Sequence, residues 1–479
     1  MQQKKPISLI QSFLPIIVLI PLLAANVFFF GDNSLGGSNQ LALLLAAAVA
    51  TLIGFSQNLS FDAILEYIKN AINSTLGAII ILLLIGALAG TWLISGVIPA
   101  LIYYGLQIAH PSYFLVAASV VCAIISVASG SSWSTIATIG VALLGIGKAL
   151  GFSEAVVGGA IITGAYFGDK MSPLSDTTNL AAAVSGAQLF DHIRYMFLTT
   201  VPSYIINLIL FFIIGLNYTP ESSAIGLEEL NTALVSNFNI TPFLFLVPAL
   251  VVFLIIKKVD PIPALFVGIL SAGVCAVIFQ PELLERLGGK SNYFQNSYYV
   301  LLSAAGSETS IETGNSALTD LLSSGGMAGM LNTVWLIICA MVFGGAMEAI
   351  GALERIAGWL ISGVKSLGGL VATTVGSCLF INLTASDQYL AIVVPGRMYK
   401  DAFDAKGLAP VNLSRTLEDS GTVTSVLIPW NTCGATQSAV LGVATFAYLP
   451  FCFFNYLSPI MSIIFAAFNI KIKRKATKA

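Results

Sequence analysis

Four short polar stretches interrupt long apolar sequence: VASGSSWST (127–135), GDKMSPLSDTTN (168–179), NLTASDQ (382–388), and TLEDSGTVTS (416–425) followed by PWNTCGAT (429–436). They bring together Asp169, Asp176, Asp387, Glu418 and Asp419 with Lys170 and many hydroxyl and amide side chains. Hard oxygen donors of this kind suit sodium or proton traffic, whereas a soft transition metal draws Cys or His. The six cysteines are scattered through apolar sequence without C-x-x-C spacing, and neither histidine belongs to a ligand motif, so no transition-metal site and no cofactor are expected.

An ionisable side chain inside a membrane span is costly and marks an ion pathway or proton relay by default. Asp169 and Asp419, each between long apolar runs and close to glycine, are the first candidates for cation and proton binding, with Asp387 next. Asp176 is open to two roles, ion ligand or helix cap, because SPLSDTTN is turn-forming. Glu418, beside Asp419, points about 100 degrees away from it on a helix, so the two face different surroundings. Glu348, within GGAMEAIG, is a further candidate. Lys170 is expected to neutralise Asp169 or Asp176, or to stand in for a cation during part of a cycle. Ser131, Ser132, Thr177, Thr178, Asn179, Asn431 and Thr432 are the supporting ligands, although hydroxyls in membrane helices also bond back to their own helix. Gly168, Pro173, Gly421, Pro429 and Gly434 are the expected helix breaks, since irregular backbone survives in a bilayer only around a protein-lined or watery cavity.

The elements that must position these groups are membrane helices. Of 479 residues 57% are hydrophobic and only 9% charged, against roughly 25% charged in an average soluble domain. The formal net charge of −2 comes without any basic tract dense enough to hold a phosphate backbone, so nucleic acid is excluded as a partner and the lipid bilayer is the environment. Apolar runs predict spans near 7–30, 40–56, 75–107 and 195–215, then 241–256, 262–279, 331–363, 367–405, 414–450 and 451–470, with two internally interrupted segments between 107 and 195. The first run exceeds the roughly 7 to 15 residues of a signal-peptide core and reads as an anchor. Residues 61–74 alternate as a surface amphipathic helix. The chain divides into an N-terminal repeat (1–215), a connector (216–240), a C-terminal repeat (241–470) with a polar insertion (280–330), and a basic tail (471–479).

Lys4, Lys5 and the terminal KIKRKATK place both termini on the cytoplasmic side, while the connector YTPESSAIGLEEL, without Lys or Arg, suits the outer face and Lys257 and Lys258 the inner one. The halves thus start on opposite sides. The expected fold is an all-α polytopic protein of two inverted-topology repeats with discontinuous transmembrane helices, which puts a binding site near the bilayer midplane. Local similarity pairs GALAGTWLISG (86–96) with FGGAMEAIGAL (343–353), SGSSWST (129–135) with TASDQYL (384–390), and Asp169 with Asp419, a spacing of 250 (419 − 169).

GAYFGDKMSPLSDTTNLAAAVSG (164–186) and LEDSGTVTSVLIPWNTCGA (417–435) resemble the NhaC family of sodium/proton antiporters. The resemblance implies alternating access and sodium exchanged for protons in a plasma (cell inner) membrane. Similar proteins exchange organic anions such as malate and lactate, or carry amino acids, and ATQSAVLG (435–442) departs from the small apolar sequence expected there by placing Thr436 and Gln437 near the break. The leading expectation is therefore a secondary transporter, not an enzyme, with sodium and proton as transported ions; a sodium- or proton-coupled carrier of a small organic anion or amino acid is the alternative, and homo-oligomerisation stays open. An intramembrane aspartyl protease is a remote rival, because the G-x-G-D context is missing, and a channel lacks any filter resembling T-V-G-Y-G.

Overall fold

The computed structural model describes residues 6–30, 36–108, 110–218, 227–257, 259–289, 292–313, 319, 321–364 and 366–475. Lys4, Lys5, Lys258, connector residues 219–226 and the tail from 476 lie outside them. Nine of the described helices are long and apolar enough to cross a bilayer, the expected outcome where every backbone polar group must be satisfied internally.

The first half runs α1 (Leu9–Phe30), α2 (Ser38–Ser56), α3 (Phe61–Ser74), α4 (Leu76–Ile94), α5 (Val97–Ile108), α6 (Pro111–Ser129), α7 (Ser132–Ala149), α8 (Glu154–Met171), α9 (Asp176–Ser185) and α10 (Leu189–Leu216). α11 (Leu227–Asn237) follows in the connector. The second half runs α12 (Pro242–Ile256), α13 (Pro261–Phe279), α14 (Pro281–Gly288), α15 (Tyr293–Gly306), a two-residue-wide ribbon of β1 (Thr309–Ser310) and β2 (Ser323–Ser324), then α16 (Gly326–Ala349) and α17 (Ala352–Ser362). It ends with α18 (Leu367–Thr384), α19 (Gln388–Ala405), α20 (410–425, with a π turn over Glu418–Thr422), α21 (Thr432–Leu441), α22 (Thr445–Phe451) and α23 (Phe453–Ala467).

A fixed spacing relates the halves. The left-handed residues Gly130, Gly151 and Gly186 recur as Ser386, Gly407 and Gly442, each 256 positions later (386 − 130, 407 − 151 and 442 − 186). The N-caps Ser131 and Ser175 recur at the same spacing as Asp387 and Asn431. Earlier in each half the spacing is 255, as from Gly96 to Gly351. Tyr218, just beyond α10, donates a hydrogen bond to the Gly151 carbonyl, whereas Tyr195, near the start of α10, reaches Asn412 Oδ1 at 2.6 Å and the Lys471 carbonyl at 3.0 Å, beside the Gly407 turn. The equivalent turns Gly151 and Gly407 therefore lie near opposite ends of this 28-residue helix, which is about 42 Å long at 1.5 Å per residue. End-for-end placement is the geometry that inverted repeats require.

This spacing corrects the sequence alignment. Asp169 corresponds to Ser425 and not to Asp419, Asp387 corresponds to Ser131, SGSSWST aligns one residue later than expected, and 86–96 aligns with 341–351. The expected long spans 75–107, 331–363 and 367–405 are each two helices, parted at Gly96, Gly351 and Ala385–Asp387. The polar insertion 280–330 carries α14 and α15. Its helix α15 starts 255 residues after α2 (293 − 38) and packs so tightly on α4 that a Cβ at Gly90 would collide with the Ala304 carbonyl. The amphipathic α3 buries Ile64, Ile68 and Ala71, one stripe at spacings of four and three, and Gly345 of α16 receives Ile68.

Candidate ion-binding site

Four half-helices begin at the breaks, and each is capped by the residue just before it. Ser131 Oγ accepts from the Ser134 amide (3.2 Å), Ser175 Oγ from Thr178 (3.3 Å), Asp387 Oδ1 from Leu390 (2.9 Å) and Asn431 Oδ1 from Cys433 (3.0 Å). Helix N-termini carry partial positive charge that would otherwise attract an anion. Here the caps take up amide donors, and Asp387 adds a carboxylate. Between the breaks lies a cavity of about 460 Å³. Asp169, Asp176, Asp260 and Asp387 line it, and among the described residues no Lys, Arg or His does.

Asp169, in the last turn of α8, is buried and lines this cavity. Its Oδ2 accepts hydrogen bonds from the Ser132 amide (3.1 Å) and hydroxyl (2.7 Å), which dock that oxygen on the N-terminus of α7. Its Oδ1 is buried without a hydrogen-bond partner among the described residues. Leaving a buried acceptor unsatisfied is unfavourable by about 1 to 3 kcal/mol, more for a charged group, and a proton or a small cation removes that deficit.

The neighbouring Lys170 points elsewhere. It forms a fully buried ion pair with Asp419 and donates to Ser458 Oγ (2.8 Å). Asp419 also accepts from Thr199 (2.9 Å), Ser458 (3.1 Å) and Ser462, so both its oxygens are occupied, and it does not line the cavity. The expected partners of Lys170, Asp169 and Asp176, are thus replaced by Asp419, because successive helical side chains diverge by about 100 degrees. The same divergence separates Asp419 from Glu418, which is buried, accepts from Thr177 Oγ1 at 3.1 Å and leaves Oε2 unbonded.

A family model described as the Na+/H+ antiporter family matches residues 164–470, a stretch that contains Asp169, Asp176, Asp260 and Asp387. The chain belongs to this family. The Na+/H+ antiporter NhaC of Bacillus subtilis is 38% identical over 425 residues, covering 88% of this chain and 90% of that protein. NhaC of Alkalihalophilus pseudofirmus is 38% identical over 439 residues, covering 92% and 91%. The malate-2H+/Na+-lactate antiporter of Bacillus subtilis is 35% identical over 428 residues, covering 89% and 88%.

In this antiporter-family chain the remaining expected residues divide sharply. Ser131 and Thr432 line the cavity beside Asp387. Asp176 lines it too, but is exposed; Ser175 is the cap, and Asp176 accepts from the Tyr389 hydroxyl at 2.5 Å. Thr178 donates to the Lys170 carbonyl (3.0 Å) and Asn179 to the carbonyls of Pro173 (3.0 Å) and Ser175 (2.6 Å), so both satisfy backbone freed by the break. Asn431 does likewise at the second break, donating to Asn382. Pro173 and Pro429 lie in the breaks, but Gly168, Gly421 and Gly434 lie inside helical turns. There they allow close approach: a Cβ would meet Ser126 of α6 from Gly168, the Ala391 carbonyl from Gly421 and the Ile428 carbonyl from Gly434. Glu348 is partly exposed on α16 and does not line the cavity.

Several functional candidates escaped the sequence. Asp260, the cap of α13, and Tyr389 line the cavity. Arg415 is fully buried, with its guanidinium 4.4 Å from the Tyr195 ring and none of its nitrogens hydrogen-bonded to a described residue. An arginine three residues before Glu418 in an apolar helix was the available signal. Ser458 and Ser462, spaced four apart on an otherwise apolar helix, gave a fainter one.

Proposed function

We propose that the protein is a secondary transporter of a cell (plasma) membrane that exchanges sodium for protons, with Asp169 as the shared binding group and Asp387 as its companion in the cavity. Support comes first from the buried Oδ1 of Asp169, which has no hydrogen-bond partner among the described residues, on a residue that lines an acidic cavity bordered by no Lys, Arg or His among them. A proton and a sodium ion both satisfy that oxygen and cannot do so together, so occupancy by one expels the other; this competition couples the fluxes. Hydroxyls such as Ser131 and Thr432 and the carbonyls freed at the breaks supply the hard oxygens that replace hydration. The Asp419 carboxylate, held by Lys170, contributes a fixed neutral pair behind the site rather than a second ion ligand.

Two inverted repeats suit this cycle, and positive residues in short loops orient them. The cavity borders Val259 and Asp260, in the same loop as Lys257, which supports a cytoplasmic face for it, and the basic residues near both ends of the sequence support the same side for the termini. A carboxylate-lined cavity repels an organic anion, which favours sodium over malate or lactate as the companion of the proton. The test is proteoliposomes carrying the purified protein, in which a sodium gradient drives proton movement. Apparent sodium affinity should fall as pH falls, with maximal rate preserved at saturating sodium, because protons occupy the same oxygen. Counterflow of malate or lactate without sodium-driven proton movement would overturn the proposal.

A further inference from the structure

A second, smaller cavity of about 300 Å³ lies beyond the second break, bounded by Asn332, Thr333, Leu336, Pro429, Ala435 and Ser438. Its position is related to that of the large cavity by the internal repeat. Gly329, Asn332, Thr333 and Leu336 line the small cavity, and each stands 255 residues after a residue that lines the large one: Ser74, Gly77, Ala78 and Ile81. The same structural corner of each half thus opens a cavity. Because equivalent turns lie near opposite ends of α10, the two cavities belong to opposite faces of the protein.

A single stretch of chain divides them. Thr432 faces the large cavity, while Pro429 and Ala435 face the small one. Three of its residues are hydrogen-bonded to the end of α18 and the turn after it: Trp430 Nε1 to the Leu383 carbonyl (2.8 Å), Asn431 Nδ2 to the Asn382 carbonyl and Oδ1 (both 3.1 Å) and the Thr432 amide to the Ser386 carbonyl (2.9 Å). The equivalents in the first half are Leu174, Ser175 and Asp176. No hydrogen bond among the described residues ties them to residues 126–130, and Leu174 and Asp176 are exposed. The first break is therefore not hydrogen-bonded to the end of α6 and lies exposed beside the large cavity, whereas its counterpart is hydrogen-bonded to the end of α18 and buried.

We propose that the small cavity is the opposite mouth of the ion path, and that Trp430, Asn431 and Thr432 form the gate that closes it in this structure. The proposal rests on the transporter reading, which requires a second mouth, but not on which ion is carried. Opening this gate means releasing the bonds of these three residues while Leu174 and Asp176 close over the first break.

Sided labelling tests it. Thr333→Cys and Ser438→Cys, each compared with the parent chain, are treated with a membrane-impermeant maleimide in intact cells and in inside-out vesicles, beside Ser74→Cys from the large cavity. Thr333→Cys and Ser438→Cys should label from the face opposite to Ser74→Cys. Adding Trp430→Phe, which removes one gate bond and keeps the ring, should speed labelling of Ser438→Cys about fivefold, the population shift expected from losing one neutral hydrogen bond, and slow that of Ser74→Cys. Labelling of all three from the same face, no labelling of Thr333→Cys and Ser438→Cys from either face, or rates untouched by Trp430→Phe would overturn the gate. Correct sidedness in a protein that exchanges no sodium for protons would instead leave the gate standing and sink only the choice of ion.

Discussion

The breaks at 172–175 and 426–431 occupy equivalent places in the two halves, yet their surroundings differ. In the first, Pro173 and Leu174 are exposed, and Asn179 satisfies the freed carbonyls from within the same segment. In the second, Pro429 and Asn431 are buried, and the chain is fastened to α18 by Trp430 and Asn431. The carboxylates are equally unequal: Asp169 and Asp387 stand opposite Ser425 and Ser131 at the repeat spacing. Backbone symmetry thus supplies two similar frames, and side chains make one an open, ion-facing break and the other a closed one.

Three sets of substitutions sharpen or break this contrast. The largest effect should come from Lys170, whose buried ion pair with Asp419 joins the two halves while the repeat-related positions, Val426 and Thr163, carry no charge. Lys170→Met strands Asp419 and should destabilise the fold by about 3 to 5 kcal/mol, with Asp419→Leu in the same chain recovering most of it; denaturation in detergent micelles measures both, and an additive double variant would refute the pairing. Next, Asn431→Ala removes a cap together with a buried bond to Asn382 and should lower stability by about 1 to 3 kcal/mol, against about 1 kcal/mol for Ser175→Ala at the exposed break. Equal losses would mean that the two breaks do not differ as described. The smallest effect belongs to Tyr389→Phe, which frees an exposed Asp176 to water and should move apparent sodium affinity by no more than about twofold in an exchange assay, as for other exposed polar contacts.

What the sequence revealed follows from how local each signal is. The polar stretches, the prolines at the breaks and the 61–74 helix were legible because each is written in a few adjacent residues. The repeat register was not, since glycine-bearing apolar runs match nearly as well when slid by several residues; the left-handed turns at Gly130 and Ser386 fix it only once backbone angles are known. Lys170 and Asp419 are 249 residues apart, and no periodicity joins them. Gly168 and Gly421 read as breaks because glycine serves both broken and closely packed helices, and only the contact with a neighbour tells which. Thr199, Ser458 and Ser462 resemble hydroxyls that bond back to their own helices until Asp419 is placed among them.

The central claim is that one unsatisfied carboxylate oxygen, on Asp169, is where sodium and proton compete. Its most direct test is sodium-gradient-driven proton movement in proteoliposomes bearing Asp169→Asn, with thermal melting of the same preparation to show that the fold is retained. The account predicts a folded protein with no sodium-dependent proton movement, and Asp176→Asn with exchange largely preserved. Full exchange by folded Asp169→Asn would contradict it.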